Sequence, residues 1–259
     1  MENRDYFSIN ETFSCVTLLV LVLLAYDINN KYIELIMFWL VLIISYGNIR
    51  KVYSVKYEGV TMLIRRGFYV IPLFFPLFTN FEIRVAADNL IVWSVIGGVI
   101  GILFILPDYT QWCICLNNEY ISLKKKQKKI NYISQWIMLS LGAVGEEIFF
   151  RAYILETVCP ASYTKGIAIS TWLFFMHHFG VKWSAQFSKK DKIYEITFAV
   201  ASSVMYLLSY SILPSIVMHL TFNGMHIIRL IKEFWLFYGN RKFVNKKSSV
   251  FEENFKNPI

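Results

Sequence analysis

The sequence predicts an all-α fold, a polytopic membrane helix bundle of about eight transmembrane helices, or seven if the weakest is discounted. Three observations carry this reading. Hydrophobic residues make up 56% of the chain and aromatic residues 17%, with a positive mean hydropathy. The charged residues, 17%, gather in clusters and leave long windows almost free of charge, the pattern of a chain that lives in lipid rather than in water. The basic residues, finally, segregate to one side once the loops between those windows are numbered alternately.

The elements follow in order. Apolar windows run over 12–26, 33–48, 67–81, 89–106, 131–150, 166–180, 194–209 and 212–230. Several fall short of the ~20 residues that an upright helix needs to cross ~30 Å of hydrocarbon. The window 67–81 is the weakest, because Pro72 and Pro76 would kink it or turn it back, and without it the count is seven. The opening stretch MENRDYFSINE is acidic on balance, and no small-residue cleavage site follows the first apolar run, unlike a secretory signal. The four cysteines, Cys15, Cys113, Cys115 and Cys159, form no CxxC pair and no disulfide framework. With no internal repeat, linker or second soluble domain, residues 1–259 read as a single integral-membrane domain.

Charge gives the orientation. One side carries Arg4, the basic clusters within 48–66, 107–130 and 181–193, and those from Arg229 onward; the other carries Lys31, Arg84 and Lys165. The positive-inside rule places both termini in the cytoplasm of a multi-pass cell-membrane protein, with residues 231–259 as a basic cytoplasmic tail. A net charge of +8 requires no nucleic acid, and none is expected as a partner. The run KKKQKK at 124–129 is a topology anchor against anionic lipid of the bilayer.

Against that background the ionisable groups inside the windows stand out: Glu146, Glu147, Arg151, His177, His178, His219 and His226. Charge in a membrane interior costs a few kcal/mol or more, so such groups mark a functional site by default. Glu147 and Arg151 are spaced i,i+4 with the acid first, the favourable order for an ion pair on one helix face. Glu146 lies ~100° around the helix and is left for chemistry as a general base. Gly142 and Gly145, just before it, leave room for another backbone or a substrate. In the second stretch, STWLFFMHHFG, Phe174 and His178 share a face, whereas His177 points ~100° away, so at most one of the two histidines is expected to face Glu146. In the third, ILPSIVMHLTFNGMH, Pro214 can start the helix and His219 and Asn223 share a face. His226 reads as a packing or snorkelling residue. A base, an imidazole beside it, and a second imidazole next to a carboxamide are the parts needed to hydrolyse an amide. Glu146 and His178 would hold and deprotonate a water, and His219 and Asn223 would donate to the oxyanion.

These stretches match an EExxxR motif at 146–151, an FxxxH motif at 174–178 and an HxxxN motif at 219–223, in that order. Together they resemble the CAAX protease and bacteriocin-processing family of intramembrane endopeptidases, which includes the type II CAAX prenyl proteases. The resemblance covers about residues 131–230, the expected catalytic core. It implies a helical bundle whose motifs converge on one cavity. It implies Glu146 as base, His178 as its partner, and His219 with Asn223 as oxyanion donors. Glu147, Arg151 and Phe174 would be supporting residues, and the substrate a membrane-associated peptide or protein. Such proteins have been described both as metalloproteases and as glutamate-dependent. No metal or other cofactor is the favoured reading here, since the HExxH spacing of helix-borne zinc proteases is absent; a zinc site would use Glu146, His178 and His219.

Two other readings use the same residues. A proton-coupled transporter would need midplane Glu, Arg and His as relay groups, yet no pair of broken helices recurs in the two halves. A catalytically inactive immunity or scaffold relative would have no need for Glu146, His178, His219 and Asn223 together. Counting from Asn131, Glu146 lies ~23 Å along its helix, which predicts a site in the outer half of the membrane.

Overall fold

The computed structural model describes residues 16–23, 30–48, 58–180 and 188–239. Arg4, Cys15, most of the basic loop 48–57, residues 181–187 and the tail beyond Gly239 lie outside the described residues. Among the described residues every regular element is helical and no strand occurs. In chain order these are α1 (16–23), α2 (Asn30–Asn48) and α3 (Glu58–Val70), which runs on as a 3₁₀ stretch, Ile71–Phe78. Next come α4 (Leu90–Ile105), α5 (Tyr109–Cys115) and α6 (Asn118–Leu123), then α7 (Lys129–Glu147), which continues as a π-helical stretch, Ile148–Val158. Helices α8 (Tyr163–Gly180), α9 (Lys189–Ser209) and α10 (Ile212–Phe234) complete the described residues, with a π turn at Trp235–Gly239.

Polar contacts at the two ends sort the long helices into alternating directions. At one end Lys190 meets Asp108 at 2.5 Å, Lys124 meets Glu233 at 2.6 Å, Lys232 donates to the Leu116 carbonyl, and Arg66 donates to the Asn131 carbonyl. At the other end Arg84 meets Glu156 at 2.7 Å, Ser211 and the Ile212 amide donate to the Val85 and Arg84 carbonyls, and Tyr32 meets Cys159. The window 67–81 does not turn back: Gly59 lies against Ile130 and Leu73 against Gly145, so residues 58–78 follow α7 in one direction. The helix changes from α to 3₁₀ at Ile71, with Pro72 at the start of the 3₁₀ stretch and Pro76 inside it.

Distribution of polarity positions the site. Helix α4 exposes Ile91, Val95, Val99, Ile102 and Leu103, and its buried residues are Gly97 and Gly101. A Cβ at Gly97 would stand 2.4 Å from the Pro214 carbonyl oxygen, and one at Gly101 2.6 Å from that of Met218. The two glycines therefore set how closely α4 and α10 approach. Polar side chains lie inside: Glu146, Glu147, Arg151, Ser170, His177, Ser202, Ser215 and His219 are all buried. The stretch Ile148–Leu155 is buried on every side, so α7 and its continuation form the central element.

Among the described residues two stretches, Gly59–Phe78 and Leu90–Cys115, are long and apolar enough to cross a membrane. The chain also stays helical past residue 230: Leu236 and Phe237 pack with Ile121 and Tyr132, so residues 231–239 of the expected tail belong to the bundle.

Candidate active site

Glu146 is the penultimate residue of α7, two residues before the chain widens into the π stretch that carries Arg151. Such wide turns recur where a helix must redirect side chains at functional sites. The carboxylate is 4% exposed and its two oxygens have different neighbours. Oε2 lies 3.6 Å from Nε2 of His178 and 3.6 Å from Nε2 of His219. Oε1 accepts a hydrogen bond from the Tyr69 hydroxyl at 3.1 Å and lies 3.4 Å from Nε2 of His177. Both histidines of α8 thus reach Glu146, where the sequence argument allowed one. A carboxylate with two separated oxygens, aimed between the two imidazole directions, meets one ring with each.

Glu147 faces the other way and joins three elements. Its Oε2 accepts from Ser202 of α9 at 2.5 Å and lies 3.3 Å from Nε of Arg151, while its Oε1 meets Nδ1 of His219 at 2.7 Å. The i,i+4 pairing of Glu147 with Arg151 is present as the spacing predicts, with both side chains fully buried. Phe174 is the hub beneath: the Arg151 guanidinium lies 4.3 Å from its centroid, and its ring lies 4.4 Å from that of His178 and 6.1 Å from that of His219. Nδ1 of His178 meets the Phe174 carbonyl at 3.0 Å, and Glu195 of α9 stands 4.0 Å from the same nitrogen.

Asn223 is one turn beyond His219, where its amide donates to the Leu139 carbonyl of α7 at 3.5 Å; no contact with Glu146 is seen among the described residues. His226 packs edge-on against Trp112, at the end of the bundle away from this cluster. Among the described residues no group of three or more His, Cys, Asp or Glu that could hold a metal ion is found. Sequence reasoning missed Tyr69, Ser202 and Glu195. No motif marks them, and only the packing of α3 and α9 onto α7 brings them in.

Fold and site together define a class: an all-α bundle with an apolar exterior and a buried centre where one glutamate meets three imidazoles. Residues 129–225 match the family model described as Type II CAAX prenyl endopeptidase Rce1-like. This segment holds all three motifs and is similar to the CAAX protease family, whose members are membrane-embedded. No curated protein and no solved structure matches the chain.

Proposed function

We propose that the protein is an intramembrane endopeptidase in which Glu146 activates a water against a peptide bond of a membrane-associated substrate. One observation carries the reading: Oε2 of Glu146 stands 3.6 Å from Nε2 of both His178 and His219. These gaps exceed a hydrogen bond, and a water or a carbonyl oxygen resting against all three atoms would bridge them.

In the mechanism this supports, Oε2 takes a proton from the water as its oxygen attacks the carbonyl carbon, and His178 holds that water in line. Glu146 then returns the proton to the leaving amine. His219 directs Nδ1 at Glu147, so donation from its Nε2 to the oxyanion requires the doubly protonated ring, with Glu147 facing the other N–H. Asn223, whose amide has a second N–H beyond the one on Leu139, is the further donor. No metal takes part. The apolar exterior and the alternating helices support eight passes through a cell membrane, with the Lys124–Glu233 end in the cytoplasm.

Cleavage by the purified full-length chain tests this. The probes are two internally quenched peptides, one ending in a farnesylated C-a-a-X sequence and one anchored by an acyl chain. Glu146→Gln and His178→Ala are each expected to lower kcat by at least ~10³-fold, and a chelator to change nothing. Full activity in Glu146→Gln would refute the assignment of the base, and loss of activity on chelation would refute the metal-free mechanism.

A further inference from the structure

The outer oxygen pair of Glu146 is not shared evenly. Oε2 faces the two imidazoles of the proposed water site. Oε1 is held by Tyr69, outside all three motifs, and by His177, at an unspecified position of the second. Tyr69, on α3, also lies outside the matched residues 129–225.

The hydrogen bonds fix a direction. Tyr69 has one O–H, and it donates to Oε1 at 3.1 Å. Its oxygen therefore accepts from His177, whose Nε2 is 3.0 Å away, so Nε2 of His177 carries the proton. The same nitrogen is 3.4 Å from Oε1, which closes a three-membered contact of phenol, imidazole and carboxylate. The rings of Tyr69 and His177 lie 5.0 Å apart, and that of Phe150 backs His177 at 5.5 Å. His177 is 1% exposed and Tyr69 7%. Gly145 of α7 allows this approach. A Cβ there would stand 2.9 Å from Cβ of Leu73 and 3.0 Å from the Phe74 ring. The glycine before Glu146 thus admits α3 and its 3₁₀ extension, and with them the Tyr69 hydroxyl.

We propose that Tyr69 and His177 are positioning residues that hold Oε1 of Glu146 and thereby present Oε2 to the water between His178 and His219. The proposal rests on the reading of Glu146 as the base. The last torsion of a glutamate is broad and roughly two-fold, so an unheld carboxylate would exchange its oxygens and tilt away from the line of attack. Misplacement of a reacting group by ~1 Å can cost ~10²-fold in rate. Neither residue touches the water or the substrate in this scheme, so their loss lowers kcat and leaves KM alone.

The experiment uses the full chain in detergent, with the two quenched peptides above as probes and infrared spectroscopy as a second readout. The difference spectrum between wild type and Glu146→Gln isolates the Glu146 carboxylate bands. Tyr69→Phe removes one oxygen and is expected to shift those bands and to lower kcat ~10- to 100-fold, with KM within ~2-fold. His177→Leu is expected to do the same. His177→Gln, which keeps an N–H near the place of Nε2, should retain ~10-fold more of kcat than His177→Leu. Unshifted bands in Tyr69→Phe, or wild-type kcat in both Tyr69→Phe and His177→Leu, would overturn the proposal. Cleavage surviving in Glu146→Gln would reject the base instead, and the bands would still decide whether Tyr69 holds the carboxylate. They decide it equally if neither probe is cleaved.

Discussion

Glu147 shows how a single side chain can stabilise a site without doing its chemistry. It accepts from Ser202 and meets His219 and Arg151, so it ties α9, α10 and the π stretch to the end of α7. Arg151 is fully buried and its guanidinium nitrogens have no hydrogen-bond partner among the described residues. Its compensation is the charge of Glu147 and the face of Phe174. Removing one member of a buried ion pair leaves the other charge stranded, at about 3–5 kcal/mol. Glu147→Gln should therefore lower stability by about that much, read as thermal unfolding in detergent. Adding Arg151→Met should restore part of the loss, because the stranded charge is then gone. A double variant no more stable than Glu147→Gln alone would show that the pair does not act as a unit. At this scale the sequence was most informative where residues share one helix. The Glu147–Arg151 pair follows from i,i+4 spacing, and Phe174 with His178 likewise. The partners that arrive from other helices, Tyr69, Ser202 and Glu195, carry no local signal. His177 was visible and set aside, because helix periodicity fixes where a Cβ points and says nothing about how a two-oxygen carboxylate from another helix will straddle two rings.

Helix α10 carries His219 and Asn223, and its depth in the bundle is fixed largely by α4. The contact is made by backbone against backbone, with Gly97 facing Pro214 and Gly101 facing Met218 and the Thr221 side chain. Any side chain larger than hydrogen at either glycine must push α10 outward and carry His219 away from Glu146 and Glu147. Gly97→Ala and Gly101→Ala are expected to cost about 1–3 kcal/mol each, and to lower kcat as well. Gly98 is the internal control: a Cβ there would meet Val217 and Thr221 side chains at 3.8 and 3.9 Å, ordinary contact distances. Gly98→Ala should match wild type in unfolding temperature and turnover. Equal damage from all three would point to the loss of glycine itself rather than to the close approach. The window 89–106 gave the helix, and its small residues are evident in the sequence, but which partner they face is not. Likewise the window 131–150 stops well short of Val158. Helical periodicity with 3.6 residues per turn cannot anticipate a widened turn, and Ile148–Leu155 shows no polar face because every side of it is buried.

For the molecule as a whole the question is which way the alternating helices stand in the bilayer. Glu146 lies ~26 Å along α7 from Lys129, His178 ~22 Å along α8 from Tyr163, and His219 ~10 Å along α10 from Ile212. The cluster is therefore well inside the bundle from either end, and in the proposed reaction water and substrate must both enter it. The end marked by Asp108, Lys124, Lys190 and Lys232 is strongly basic, and Lys126 and Lys129 lie over the Tyr238 ring at 4.1 and 5.2 Å. The other end has Arg84 neutralised by Glu156, with Lys165 over the Tyr32 ring. Exposed Asp88 sits in the loop at that second end and exposed Lys125 at the first. In a background with all four cysteines replaced by serine, Asp88→Cys should react with a membrane-impermeant maleimide on intact cells. Lys125→Cys should react only after the cells are opened. Labelling of both from the same side would mean that α4 does not cross, and the eight-pass arrangement would fall with it. Labelling in the opposite sense would keep the crossing and invert the orientation, because the positive-inside rule weighs the charges of the loops and nothing else in the chain.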